Sequence, residues 1–233
     1  MQLPAIKVPF LSLPQIDSAA RELLAKYARW KGEDLKPPID VDEIVESYLD
    51  LSFEVTDLKE VLGITDVLGA TWFDDGRVCI DSSLEGNEGR FAFTVAHEIG
   101  HWQLHRPIIE MEKVTLPLFA GKVGEEPKPG LVCRTQAKKQ PAEYQADQFA
   151  ARILMPAAAV REAAKVVCGE DIPAWDGLND SRKAGMLDSR LRALADQVKD
   201  QGGFTNVSNQ AMCYRLLDLK LVEDAKDAAG RLF

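Results

Sequence analysis

The chain has 233 residues, 46% of them apolar, and carries 28 Lys/Arg against 37 Asp/Glu for a formal net charge of −9. That content suits one good core with a small second unit, and no stretch approaches the roughly 20 apolar residues of a membrane span, so a globular chain in the cytoplasm, off the membrane, is expected. The acidic balance speaks against a duplex binder, and four scattered cysteines without a C-x-x-C pair speak against a disulfide framework or a zinc knuckle.

The first ten residues are interrupted by Pro4 and Pro9 and lack the charged-then-apolar layout of a targeting segment. Helical spacing runs from Ile16 to Trp30, and Pro37-Pro38 punctuates the chain, which sets off residues 1–36 as an arm and a helix. Val41 to Leu49 reads as a second amphipathic helix with an acidic first turn. Short apolar runs follow at Leu51–Val55, Leu68–Phe73 and Val78–Ile80. The last two are joined by Asp74-Asp75-Gly76, a hairpin turn signal, and together the runs predict a small antiparallel sheet. Gly69–Phe73 or Val78–Ile80 could serve as an edge on which an extended substrate adds as a further strand, with ordinary core strands the equal alternative.

Asn87 predicts an N-cap for a helix opening near Glu88, with an apolar face at Phe91, Val95, Ile99 and Trp102 and a halt at Pro107. All three histidines of the chain stand on this helix, at His97, His101 and His105. Residues four apart share a helix face, so His97 and His101 converge while Glu98 points about a quarter turn away. This is the H-E-x-x-H arrangement of zinc peptidases, in which neutral imidazoles suit the ion, a position stays open for water, and the carboxylate serves as general base. His105 lies about 12 Å along the axis from His97 and rotated by about 80°. The positions that hold glycine and histidine in the longer zincin motif are Leu104 and Pro107 here, so His105 reads as a structural residue at the helix end.

Breakers between 107 and 142 predict a mostly irregular loop, with a strand at Leu131–Thr135 leading toward Glu143. Cys133 on it reads as packing, with an inhibitory thiolate at the metal as the alternative. The next helical pattern, Glu143 to Pro156, has a face of Ala146, Phe149, Ala150 and Ile153 whose small residues permit close approach to the histidine helix. Glu143 and Asp147 open it one turn apart. One carboxylate can ligate while the other accepts the free N–H of a ligand histidine, unless both are ordinary first-turn acids favoured by the helix dipole.

Taken together, Arg90-Phe-Ala-Phe-Thr-Val-Ala-His97-Glu98-Ile-Gly-His101-Trp-Gln-Leu-His105 and Glu143-Tyr-Gln-Ala-Asp-Gln-Phe-Ala-Ala-Arg-Ile-Leu-Met-Pro156 resemble the ImmA/IrrE family of bacterial and phage metallopeptidases. The resemblance implies zinc, with manganese as the alternative, held by His97, His101 and Glu143, with Glu98 as general base on an ion-bound water. It implies an endopeptidase that cuts a helix-turn-helix repressor under stress, or an antitoxin-like partner. Asp147 is the expected acceptor for a ligand histidine, and Tyr144 a weaker candidate to donate to the oxyanion.

Beyond Pro156, a helix is predicted over Ala157–Val167, and Gly169, Pro173 and Gly177 mark a boundary. Arg182–Lys199 and Val207–Leu219, the latter capped by Ser208, read as helices around a Gly202-Gly203 turn, a helix-turn-helix-like pattern. Residues 181–233 carry nine Lys/Arg and seven Asp/Glu, a net +2 that leaves −11 for the rest, so packing or partner docking is favoured over DNA contact. The expected architecture is α+β: an arm and helix over 1–36, a zincin-like metallopeptidase domain over 37–170 and a small helical unit over 181–233. The rival reading is a non-catalytic module that holds a repressor partner around a structural metal.

Overall fold

The computed structural model describes residues 8–115, 131–134 and 140–229. The chain folds as two compact units, residues 1–35 with 40–153, and residues 36–39 with 154–233. The boundary therefore falls at Ile153 rather than near residue 170.

The first unit opens with α1 (Leu13–Lys31), which starts in a capping box between Ser12 and Gln15 and ends at Gly32 in the left-handed region. It buries Ile16, Ala20, Leu23, Leu24 and Tyr27. Helix α2 (Val41–Glu43), capped by Asp40, runs on into a π-helical turn over Ile44–Tyr48. After β1 (Ser52–Thr56) comes the short α3 (Leu58–Leu62), then β2 (Val67–Trp72) and β3 (Arg77–Asp81), with β4 (Leu131–Arg134) arriving later in the chain.

The strand order is β1-β3-β2-β4. The hairpin turn forms as expected, with Gly76 at φ 58° and β2 antiparallel to β3. The wholly antiparallel sheet does not, because β1 pairs with β3 in parallel. The reason is topological: α3 carries the chain from β1 past the neighbouring position, and the returning arm of the hairpin, not its first arm, fills it. β2 and β3 are both interior strands, which selects the core-strand alternative over an edge for substrate; the outer strands among the described residues are β1 and β4.

Helix α4 (Glu88–Thr115) packs across β2, β3 and β4 and buries Ala92, Val95, Ala96, Ile99 and Trp102. Asn87 Oδ1 accepts from Arg90 N at 3.2 Å and starts it. Pro107 does not stop it, contrary to the sequence expectation. Its ring is exposed, where water can answer the carbonyl one turn earlier, and Arg106 and Glu110 brace the turn around it at 2.7 Å.

Helix α5 (Pro141–Leu154) buries Ala142, Ala146, Phe149, Ala150 and Ile153 against the same core. Each fully buried Ile or Phe is worth about 1.5–3 kcal/mol. The approach of α4 to α5 depends on the absence of a side chain: a Cβ on Gly100 would lie 3.1 Å from Ala146 Cα and 3.2 Å from its carbonyl oxygen. This packing is what brings the acids of α5 to the histidines of α4.

In the second unit, α6 (Ala157–Cys168), α8 (Ser189–Gly202) and α9 (Asn209–Asp218) pack on one another. The helix expected over Arg182–Lys199 is interrupted. α7 (Leu178–Lys183) ends before Gly185 at φ 72°, and Asp188 caps a new start for α8 by accepting from Arg190 N. Ser208 Oγ caps α9 through Ala211 N at 3.1 Å, as its sequence predicts. Two short parallel strands, β5 (Ala174–Trp175) and β6 (Glu223–Asp224), and α10 (Ala225–Ala229) complete the unit. No helix among the described residues is long and apolar enough to cross a membrane.

Candidate metal centre

Four titratable side chains of α4 are almost wholly withdrawn from solvent: His97 is 1% exposed, and Glu98, His101 and His105 are 0% exposed. Burying so many polar groups is costly unless each is answered. The answers come from β2 and α5.

The rings of His97 and His101 lie edge to face, 4.5 Å between centroids. Glu143, at the start of α5, spans them, with one oxygen 3.3 Å from His97 Nε2 and the other 3.4 Å from His101 Nε2. Ligand-type atoms of the three residues all lie within 4.8 Å of one another. On its other side, His97 Nδ1 lies 3.0 Å from Asp147 Oδ1, one turn along α5. Among the described residues neither Nε2 has a hydrogen-bond partner.

A cation resolves this arrangement. With one proton on Nδ1 facing Asp147, His97 Nε2 faces a carboxylate, and either a second proton on that nitrogen or a metal ion between the two removes the repulsion. Two imidazoles and a carboxylate are a donor set of open zinc sites, and the residues present fit such an ion. The field points the same way. Against burial, which would lower it, Cys133 and Asp147 hold the His97 imidazole well above its usual range, so a positive charge is favoured here. Burial would raise the Glu143 carboxyl, yet the His101 and His97 rings, 3.4 and 3.3 Å away, hold it well below the usual carboxylate range. Burial, aided by the neighbouring His97 charge, pushes His101 down to about 3.

Glu98 faces β2. Thr71 Oγ1 donates to Glu98 Oε2 at 2.6 Å, with both residues fully buried, while Oε1 is without a partner. A Cβ on Gly69 would come 2.5 Å from that free oxygen, so the carboxylate occupies space that only glycine leaves open. Burial is the main reason its pKa rises to about 7, opposed by the His97 charge and the Thr71 bond.

Two residues stand where the sequence did not put them. His105 is not at a helix end; α4 continues past it to Thr115, and its Nδ1 lies 2.9 Å from His101 Nδ1. Cys133 is not simply packed in the sheet: opposite Gly69 in the ladder, it contributes to a second cluster of potential donors with His97 and Glu98, again within 4.8 Å. Burial pushes its thiol up. All four cysteines are free. Tyr144 is 44% exposed and stands outside the buried cluster.

Thr71, Gly69 and Gln145 were not singled out from the sequence. A glycine inside a strand is the available signal for Gly69, since it marks a place where something approaches the backbone closely. Thr71 carries no such mark, because a threonine in a strand is ordinary.

Residues 53–166, 114 of the 233, match the family model described as the IrrE N-terminal-like domain, Peptidase M78. This segment is an IrrE N-terminal-like domain. No curated protein matches the chain. The M78 match takes in β1 to α5, and with them every residue of the cluster, so the resemblance seen in the two motifs and the geometry concern the same residues. M78 is a peptidase family, and the domain has His, Glu and Cys groups able to bind a metal.

Proposed function

We propose that the chain is a zinc-dependent endopeptidase in which His97, His101 and Glu143 hold the ion and Glu98 is the general base. The observation that carries this reading is the free Oε1 of Glu98, buried beside two unpartnered imidazole nitrogens and a bridging carboxylate. A purely structural metal site has no use for such a group. When bound, zinc polarises the scissile carbonyl and makes the attacking water more acidic.

The chain's own residues do the rest. Glu98 accepts a proton at Oε1 and passes it to the leaving amine; a pKa near neutrality suits both transfers, and such a base contributes about 10²- to 10⁴-fold. Thr71 holds the other oxygen, so the carboxylate cannot turn both oxygens away from substrate. Asp147 accepts from His97 and keeps that ring oriented. Tyr144, exposed and next in sequence to Glu143, is the candidate donor to the oxyanion. The outer strand β4, which bears Cys133, is the edge along which an extended segment would pair, in place of β2 or β3.

The substrate we assign is a helix-turn-helix repressor or an antitoxin-like partner, met in the cytoplasm. The motif resemblance supports it, and a chain of net charge −9 complements the basic surface of a DNA-binding protein. The helical residues 181–233 are read as a packing or partner-docking unit. One observation favours a second reading, a non-catalytic module that holds its partner: Cys133 stands close enough to His97 to close the coordination with a thiolate.

Co-incubation of the zinc-loaded chain with a repressor encoded beside it separates the two. Cleavage by the native chain, lost in Glu98→Gln at equal zinc content, supports the peptidase. A stable uncut complex with both proteins supports the holding module, and cutting that appears only in Cys133→Ser identifies the thiol as the inhibitor.

A further inference from the structure

His101 differs from His97 in having no carboxylate behind it. Its Nδ1 lies 2.9 Å from Nδ1 of His105, whose Nε2 lies 3.1 Å from Gln145 Oε1. Gln145 Nε2 in turn donates to the carbonyl oxygen of Pro9 at 2.8 Å. His101 and His105 are 0% exposed and Gln145 is 3% exposed, so no water completes or reverses these bonds cheaply.

The direction of the chain of bonds is dictated from its far end. A carbonyl can only accept, so the Gln145 amide nitrogen must face Pro9; turning the amide over would set two acceptors against each other. Its oxygen then accepts from His105 Nε2–H. A neutral imidazole with its proton on Nε2 is an acceptor at Nδ1, so His101 must donate from Nδ1. That leaves the lone pair of His101 on Nε2, the atom 3.4 Å from Glu143 and without a hydrogen-bond partner.

We propose that His105, Gln145 and the Pro9 carbonyl form a one-way hydrogen-bond relay that locks His101 in its metal-binding tautomer and makes the N-terminal arm part of the metal site. The three are positioning groups that act through His101. The inference rests on the reading of His101 as a ligand. It also gives His105 a task, and it accounts for a buried glutamine whose two ends face the histidine helix and the residues ahead of α1. The two ligands are thereby held by unlike devices, His97 by a negative charge and His101 by a neutral relay that ends on main chain.

Long-range ¹H–¹⁵N spectra of the full chain, with and without zinc, read the tautomers directly. The relay requires a proton on Nδ1 of His101 and on Nε2 of His105 in both states; a proton on Nδ1 of His105, or an imidazolium there at neutral pH, overturns it. Zinc affinity by chelator competition gives the second readout. Gln145→Met and His105→Phe, which keep the bulk and remove the bonds, are expected to weaken zinc binding roughly 10- to 100-fold, as losses of such outer partners do. Their metal-free melting temperatures show whether they fold. Folded variants that bind zinc as tightly as the native chain refute the relay and leave the ligand assignment standing. A native chain that fails to bind zinc refutes the ligand assignment instead, while the spectra still report on the relay.

Discussion

Two buried sites, the Asp224 carboxylate in one unit and the His97–Glu98–His101 cluster in the other, use polar side chains to opposite ends. In residues 154–233, Asp224 is 3% exposed and serves the main chain, accepting from the backbone of Asn179 and Lys226 at 2.8 and 3.1 Å. In residues 40–153, His97, Glu98 and His101 are buried as deeply, yet each leaves one atom without a hydrogen bond, and those atoms lie around Glu143 and Gly69. A buried polar group tied to backbone stabilises a fold, whereas one left with an unanswered lone pair costs stability and persists where chemistry requires it.

The largest break in this contrast is Glu143→Ala. It removes the bridging carboxylate, and zinc bound at one equivalent by the native chain should fall to a small fraction after gel filtration, read by metal analysis, with the fold retained. Gly100→Ala comes next. The new methyl group would meet Ala146 at 3.1 Å, an overpacking that typically costs about 1–3 kcal/mol. Here it should also weaken zinc binding, because it separates the two helices that carry the proposed ligands; a lower melting temperature with unchanged zinc affinity would show that α4 and α5 are not so coupled.

Thr71→Val is subtler. The Thr71 bond favours the ionised Glu98 and lowers its pKa, so its loss raises the pKa, leaves the base protonated over a wider range and moves the acid limb of kcat/KM to higher pH. Thr71→Ser should return the limb to its native place, and an identical profile in all three proteins would deny Thr71 this part. Ser208→Ala closes the series in the other unit: losing the α9 cap should cost about 1 kcal/mol in denaturant unfolding and leave zinc affinity untouched.

The features legible in the sequence are those fixed by near neighbours. Asn87 and Ser208 cap their helices because the donors they meet are three residues away. Asp74-Asp75-Gly76 turns because the left-handed φ it needs is local. The spacing of His97 and His101 is a helix property, and the small residues of α5 foretold its close approach to α4. What was not legible depends on solvent exposure or on distant partners. Pro107 is a strong local stop signal, overridden where the proline is exposed and its turn is braced by Arg106 and Glu110. The parallel pairing of β1 is decided by which arm of a later hairpin reaches it. That His105 is no ligand was legible from its place along the helix, but its contact with His101 and the arrival of Gln145 from α5 were not.

The central claim, that Glu98 turns this metal cluster into a peptidase, is tested most directly by one cleavage time course. The native chain and Glu98→Gln, matched for bound zinc, are each incubated with a helix-turn-helix repressor of the proposed substrate class and the products are weighed by mass spectrometry. Two defined fragments are expected from the native chain, and a rate lower by about 10²- to 10⁴-fold from the variant. Equal cutting by both proteins, or an intact repressor held in complex by both, would contradict it.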